Sequence, residues 1–262
     1  MQTQQSGDER NPIDDEIFDL DDPFKYCRIA EEKSGTRDLA TTELVGILPG
    51  QHYLINEKIL RFDFDTQNNQ NTGTISISLR LDASPGCGGI VWPAGQILSN
   101  YLIKKGPAYL QGKRVVELGS GTGLVGLTAA SLGANKVWIT DQKPLLNIMQ
   151  QNLSMNSLER NCSVAELDWG TSIPHMISPP DLILAADCVY FEPAFALLVQ
   201  TLDALATKET DILFCYKKRR KADKRFFGLL KKLFSWEEVM DDLNRNVYAR
   251  ESITLIRLSK IR

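Results

Sequence analysis

The sequence predicts an α/β fold in which a parallel sheet carries helices on both faces. Segments typical of strands and of helices alternate regularly from residue 113 to residue 258, which is the pattern of strand–helix–strand units. A glycine-rich stretch, ELGSGTGLVG at 117–126, joins a strand pattern to a helical one. Two strand-like segments between residues 59 and 82 precede the alternating region, so we also expect an N-terminal β-hairpin.

Composition narrows the class of protein further. The chain has 262 residues, of which 43% are hydrophobic and 24% charged. These values suit one sizeable domain or two small ones and exclude collagen-like, disulfide-rich and fully disordered chains. The net charge of −3 gives no overall field that would attract nucleic acid or an anionic membrane.

Cysteine usage and the N-terminal sequence indicate the compartment. The five cysteines are widely spaced and contain no C-x-x-C pair, which argues against disulfides and against a metal site. The first residues contain no apolar segment typical of a signal peptide. We therefore expect a cytoplasmic protein with reduced thiols, no metal and no membrane association.

The N-terminal quarter divides into two predicted segments. Residues 1–25 contain eight acidic and two basic side chains, which indicates a disordered acidic arm. Residues 26–88 form the predicted hairpin extension, since apolar residues from Ile59 to Phe64 and the alternating stretch TISISLRLD flank a polar loop at 66–73. The main domain is predicted to span residues 89–262.

Within the main domain, Pro93 is expected to begin the first helix, because proline suits the first helical turn. Further helices are expected at 123–132, 145–155, 193–206 and 224–234. The expected strands are 113–118, 136–140, 162–167, 182–186, 211–215 and 252–258.

The glycine loop is the strongest functional signal. Gly119, Gly121 and Gly123 follow a buried strand and precede a helix, so the backbone can approach a ligand closely and the helix N-terminus offers free N–H groups. The stretch also satisfies the dinucleotide pattern G-x-G-x-x-G, and a plain strand-to-helix turn remains the alternative.

Two acidic residues favour a cofactor without phosphate. Glu117, two residues before the first glycine, can order the loop or face a cationic amino group, but would repel a pyrophosphate. Asp141 ends the next strand, where a carboxylate can accept hydrogen bonds from ribose hydroxyls. S-adenosylmethionine combines a ribose with an amino acid tail and fits both residues.

Further candidate residues follow other strands or begin a helix. Trp169 can stack on an adenine, although a packing role is an alternative for it and for Trp92 at the start of the first helix. The small Ala186 ends the strand LILAA and would let a cofactor lie against it. Asp187 and Tyr190 follow that strand, where open α/β sheets bind ligands; capping of the next helix is a second interpretation for Asp187.

A basic run of seven charges in nine residues occupies positions 217–225. It is either a solvated loop, a localisation-like string, or a patch that steers an acidic protein surface or contacts phosphates.

These strings resemble a known family. ELGSGTGLVG, LDWG at 167–170 and AADCVYFE at 185–192 are similar to the seven-stranded, S-adenosylmethionine-dependent protein-lysine methyltransferases of the methyltransferase-like 21 group. GCGGIVWPAGQIL at 86–98 and CYKKRRKADKRFF at 215–227 resemble the fungal members that modify translation elongation factor 1-alpha. The resemblance covers residues 86–262 and implies a Rossmann-like class I methyltransferase sheet.

The resemblance also implies roles for individual residues. Asp187 and Tyr190 would have a catalytic or target-lysine role, in an Asp-x-x-Tyr motif that replaces the Asn-Pro-Pro-Tyr motif of nucleic-acid amino-methyltransferases. The expected substrate is a protein, translation elongation factor 1-alpha, and the enzyme is expected to be a monomer. The alternative substrates are another protein, such as a chaperone, or else RNA or a small molecule. Cofactor contacts are implied for Trp92, Gly119, Ser120, Gly121, Asp141, Trp169 and Ala186.

Overall fold

The computed structural model describes residues 59–68, 71–82, 87–219, 221 and 223–261. All of them belong to one compact unit. The predicted acidic arm and the part of the hairpin extension before residue 59 lie outside the described residues.

The described residues form the following elements. The strands are β1 (Ile59–Asn68), β2 (Asn71–Arg80), β3 (Arg114–Leu118), β4 (Lys136–Asp141), β5 (Cys162–Glu166), β6 (Leu182–Ala186), β7 (Asp211–Lys217), β8 (Phe234–Glu238) and β9 (Ile253–Lys260). The helices are α1 (Pro93–Lys105), α2 (Pro107–Leu110), α3 (Leu124–Ser131), α4 (Leu146–Met155), α5 (Phe195–Leu205), α6 (Asp223–Leu230) and α7 (Arg245–Ala249).

A seven-stranded sheet forms the centre, in the order β5-β4-β3-β6-β7-β9-β8. The strands from β3 to β7 pair in parallel, whereas β9 runs antiparallel to both β7 and β8. The predicted α/β fold is therefore confirmed. Because the chain leaves β3 toward β4 on one side and later returns to β6 on the other, the strand order reverses beside β3, where such sheets bind ligands.

Helices cover both faces of the sheet, as predicted. On β6, Leu182 and Leu184 belong to a core shared with α1, α3 and α4, whereas Ile183 and Ala185 belong to a second core shared with α5 and α6. Both faces of a parallel strand are buried in this way, which explains its continuous apolar sequence.

The predicted hairpin is present, but its loop is shorter than expected. β1 and β2 pair antiparallel from Ile59 opposite Arg80 to Asn68 opposite Asn71, so six of the eight residues predicted as loop 66–73 belong to strands. The ladder continues through polar sequence because its hydrogen bonds are made by the backbone. The Thr66 hydroxyl adds two more bonds, since it donates to the Gly73 carbonyl and accepts the Gly73 N–H.

Two asparagines attach the hairpin to the main domain. The amide of Asn152 on α4 accepts the Arg80 N–H at 2.6 Å and donates to the carbonyls of Arg80 and Thr122. Asn156 makes the equivalent pair of bonds with Ser78. The open edge of β2 is thus satisfied by side chains, and the hairpin is tied to the segment that leads into α3.

The predicted helix at 224–234 is wrong in its last part. α6 ends at Leu230, and Phe234 begins strand β8, which pairs with β9. The apolar residues that suggested a longer helix are instead divided between helix and edge strand, because the strand is stabilised by a partner distant in sequence. No helix in the described ranges is long and apolar enough to cross a membrane.

Candidate active site

The loop between β3 and α3 depends on glycine. Gly119, Gly121 and Gly123 have φ angles of 60°, 55° and 87°, which side-chain-bearing residues rarely adopt. A Cβ at Gly121 would lie 2.5 Å from the carbonyl oxygen of Gly88, and a Cβ at Gly119 would lie 3.0 Å from the Trp169 ring. The loop therefore approaches Gly88 more closely than a side chain at 121 would permit, and a side chain at 119 would require the Trp169 ring to shift.

Ser120 fastens this loop to the neighbouring strand β4. Its hydroxyl accepts the Thr140 N–H at 2.9 Å and donates to the Glu117 carbonyl at 3.2 Å, while its own N–H donates to the Thr140 carbonyl. The buried Ser120 hydroxyl is thus used within the protein, and its backbone is held in register with β4.

Glu117 lies beneath the loop. Its Oε2 accepts the N–H of Gly126 at 2.9 Å, and a Cβ at Gly126 would come within 2.7 Å of that oxygen. Burial raises the pKa of Glu117 to about 8, with a smaller contribution from Asp141, although the Gly126 N–H favours the charged form. Of the two roles predicted for Glu117, this geometry fits the ordering of the loop.

Asp141 holds the loop from the end of β4. Its Oδ2 accepts the Gly121 N–H at 2.8 Å and its Oδ1 accepts the Gln142 N–H at 2.7 Å. Burial raises its pKa to about 6 despite these two hydrogen bonds. Each carboxylate oxygen retains acceptor capacity, so ribose hydroxyls can still bind here.

Trp169 and Cys188 complete the wall beside the loop. The indole of the half-buried Trp169 packs against Gly119, and the Cys188 thiol would lie 3.1 Å from a Cβ at that glycine. Cys188 also donates to the Leu118 carbonyl at 3.3 Å. Ala186, the last residue of β6, is partly exposed next to this wall.

Asp187 follows β6 with an unusual backbone. Its φ of 59° lies in the left-handed region, where a residue other than glycine is strained and functional sites are common. Its N–H donates to the Cys215 carbonyl at 2.8 Å, which extends the pairing of β6 with β7 by one residue. The side chain is buried, so a carboxylate is held rigidly at the carboxyl end of the sheet.

An arginine from the basic run binds this carboxylate. Both Nη atoms of Arg219 donate to Asp187, Nη1 to Oδ1 and Nη2 to Oδ2, each at 2.6 Å. The guanidinium also lies 5.5 Å from the ring centroid of Trp92, within cation–π range. Trp92, Asp187 and Arg219 are thereby brought together.

Tyr190 and Phe191 follow Asp187 in sequence and form an exposed aromatic rim of the candidate site. They are 48% and 39% exposed, high values for aromatic side chains. Arg225 on α6 pairs with the neighbouring Glu192. The rim therefore offers two aromatic rings to an approaching partner.

Sequence reasoning identified most of this site but missed three residues. Gly88, Cys188 and Arg219 were noted only as parts of longer strings. Arg219 had no local signal, since it follows β7, which pairs with β6 only in the folded sheet, and six neighbouring cations concealed it.

Several known proteins are similar to this chain over most of its length. A family profile described as lysine methyltransferase matches residues 71–233. The chain is 39% identical over 199 residues to the protein-lysine N-methyltransferase EFM6 of Saccharomyces cerevisiae, which covers 66% of this chain and 81% of the relative. It is 40% identical over 172 residues to the protein N-lysine methyltransferase METTL21A of Danio rerio, covering 64% and 78%.

Among solved structures, a ribosomal protein L11 methylase from Lactobacillus delbrueckii subsp. bulgaricus matches with a TM-score of 0.50. The two sequences are 16% identical, and the match covers 66% of this chain and 81% of that one. This likeness concerns the fold alone.

Proposed function

Because the chain belongs to the lysine methyltransferase family and is an S-adenosylmethionine-dependent protein-lysine methyltransferase, we propose that its reaction takes place beside Asp187 and Tyr190. We further propose that its substrate is translation elongation factor 1-alpha. The observation that carries the first proposal is the convergence of the glycine loop, Trp169 and Asp187 at the carboxyl ends of β3 and β6.

The residues around the loop fit the cofactor. Glycine at 119 and 121 allows the backbone to approach a ligand, and the carboxylate of Asp141 adjoins the loop, where it would repel a pyrophosphate. Asp141 would accept hydrogen bonds from the ribose hydroxyls, and Trp169 would stack on the adenine. Trp92 and Ala186 would line the remainder of the cofactor site. When bound, S-adenosylmethionine supplies an electrophilic methyl group on a sulfonium and leaves as S-adenosylhomocysteine.

The protein's own residues must present the lysine as a neutral amine. An ordinary lysine has a pKa near 10.4, so a neutral amine at pH 7 costs about 4–5 kcal/mol. Removal from water lowers that pKa, and the aromatic rim supplies part of an apolar slot. Asp187 would accept an N–H of the amine and orient its lone pair, while Tyr190 would form the slot wall; positioning would provide most of the acceleration.

The choice of elongation factor 1-alpha rests on sequence. The strings GCGGIVWPAGQIL and CYKKRRKADKRFF resemble the fungal enzymes that act on this factor, and the yeast relative EFM6 is similar over two thirds of the chain. A cytoplasmic monomer is the corresponding proposal for location and assembly. The thiols of Cys162, Cys188 and Cys215 are free and buried, which is consistent with a reducing compartment.

The test is mass spectrometry of elongation factor 1-alpha from cells with and without this gene. We expect one lysine to lose its methylation in the deletion strain and regain it with the wild-type gene, but not with Asp187→Asn. In parallel, lysate from the deletion strain is incubated with purified enzyme and labelled cofactor. Label on a different protein would replace the substrate proposal, and nuclease-sensitive label would indicate RNA.

A further inference from the structure

Arg219 lies beside the proposed lysine slot, with its side chain only 14% exposed. We propose that Arg219 is a positioning residue for methyl transfer: its guanidinium fixes the orientation of the Asp187 carboxylate and offsets the negative charge that the target lysine would otherwise meet. The inference rests on the proposed role of Asp187 and deepens it.

The Asp187–Arg219 contact is tight and shielded. Two parallel hydrogen bonds of 2.6 Å join the guanidinium to both carboxylate oxygens, and the side chains are only 3% and 14% exposed. Bidentate pairs of this kind specify geometry as well as energy. An aspartate held at both oxygens has one side-chain orientation, which a group that aligns a nucleophile requires.

The loop around Arg219 holds it in place. The Arg219 N–H donates to Oδ2 of Asp223 at 2.9 Å, Nη1 also donates to the Lys217 carbonyl at 3.3 Å, and the guanidinium lies over the Trp92 ring. Asp223 is itself 2% exposed at the first position of α6. These contacts distinguish Arg219 from a solvated cation of a basic loop.

The positive charge of Arg219 also affects the target lysine. A lone carboxylate stabilises an adjacent ammonium and raises the pKa of the lysine, which opposes the neutral amine that must attack the methyl group. Arginine stays protonated at any working pH, so pairing with Arg219 reduces this effect. Asp187 then acts mainly as a hydrogen-bond acceptor.

Acceptor capacity remains for the substrate. A carboxylate offers about four lone-pair sites, and the described donors to Asp187 are the two Nη atoms and the Lys217 N–H at 3.3 Å. A site thus remains for one N–H of a neutral amine. Methyl transfer forms the N–C bond as the S–C bond breaks and its electron pair stays on sulfur; the methylated ammonium that results releases one proton to water.

Among the residues that the structure describes, the other ionisable groups near Asp187 do not duplicate the charge of Arg219. Burial raises the pKa of the Cys188 and Cys215 thiols well above 9, so both are neutral. The ammonium of Lys217 faces Glu251 at 3.8 Å, and Asp223 is directed at the Arg219 N–H. On the cofactor side of Cys188, Asp141 and Glu117 bind backbone N–H groups.

The test compares Arg219→Gln and Arg219→Lys with Arg114→Gln. Arg114 makes the same kind of two-bond contact with Asp181, at 2.8 and 3.0 Å, far along the strands from the site. Turnover is measured from pH 6 to 10 with a lysine peptide at saturation. Calorimetry of cofactor binding and urea unfolding provide readouts that are independent of turnover.

For Arg219→Gln we expect kcat to fall on the order of 100-fold, with cofactor Kd changed less than threefold. The pH midpoint of kcat should move upward by about one unit, and added methylguanidine should restore part of the turnover. Arg219→Lys should keep the wild-type midpoint but remain slow, because an ammonium supplies the charge but not the paired N–H donors that bind both carboxylate oxygens. Arg114→Gln should match wild-type kcat within twofold.

The outcomes separate this inference from the proposed function. Wild-type turnover in Asp187→Asn would remove the role of Asp187 itself. An inactive Asp187→Asn alongside an Arg219→Gln within twofold of wild type would overturn the inference alone. It would also be overturned if a smaller folded fraction, measured by urea unfolding, accounted for the whole loss of activity. In that case the pH midpoint of kcat would not shift and methylguanidine would not restore turnover.

Discussion

Strand β6 has an aspartate beside each end, and each aspartate is bound by an arginine through two side-chain hydrogen bonds. Just before the strand, Asp181 and Arg114 are 41% and 40% exposed; just after it, Asp187 and Arg219 are 3% and 14% exposed. The same pair of residue types is thus partly exposed to solvent at one end and shielded from it at the other. The contrast shows that environment, not residue type, determines what such a pair can do.

The backbone differs between the two ends as well. Asp181 also accepts the Arg114 N–H at 2.8 Å and joins the first residue of β3 to the start of β6. Asp187 has a left-handed φ of 59°, which the surrounding contacts must maintain. The amino end therefore serves to connect strands, whereas at the carboxyl end a carboxylate is carried on a left-handed backbone.

The largest effect should come from Asp187, with Asp181 at the other end of β6 as its matched control. Asp187→Asn keeps the shape of the side chain but removes its charge, so we expect kcat to fall about 10³-fold, with cofactor affinity within a few-fold by calorimetry. Asp181→Asn should leave kcat within twofold. Equal losses in the two variants would erase the distinction between the ends of β6.

Two glycines extend the comparison to β3. Ala at 121 would place its Cβ 2.5 Å from the Gly88 carbonyl, whereas Ala at 112, just before β3, would meet nothing within 4 Å; both positions have positive φ. Gly112→Ala should therefore lower the unfolding free energy by about 1–2 kcal/mol, the cost of a left-handed backbone conformation for a residue with a side chain. Gly121→Ala should cost more and also weaken cofactor binding at least tenfold.

Urea unfolding and calorimetry check this pair. Calorimetry is performed on folded protein, and a Gly121→Ala variant with wild-type cofactor affinity would indicate that the close approach to Gly88 has no bearing on the site.

The sequence predicted the carboxyl end of the sheet well because its signals are local. The glycine loop lies between a strand and a helix within ten residues, and Asp187 directly follows an apolar strand. The Arg219 contact spans 32 positions and arises only because β7 lies beside β6, so no local pattern identifies it. Strand β8 was missed for the same reason, since its pairing partner β9 is distant in sequence.

Asp141 provides a pH-dependent test at the end of β4. Its pKa of about 6 means that the carboxylate becomes protonated as pH falls through 6. Ribose hydroxyls donate to the charged form, so cofactor affinity should be constant above pH 7 and weaken about tenfold by pH 5. Calorimetry across this range measures it. Asp141→Asn should bind weakly at every pH, and an unchanged pH profile in that variant would remove Asp141 from the cofactor site.

The smallest effect is expected at Arg114, before the amino end of β6. Hydrogen bonds from Arg114 are the main cause that lowers the pKa of Asp181 to about 2. A carboxyl group with a depressed pKa stabilises the fold above its unfolded pKa of about 4, and this stabilisation is lost as pH falls from 4 through 2. Because both side chains are about 40% exposed, Arg114→Ala should cost less than about 1 kcal/mol at pH 7. The loss should shrink in high salt and vanish near pH 2, as followed by urea unfolding; a loss several times larger would mean that the exposed pair is as important to folding as the buried one.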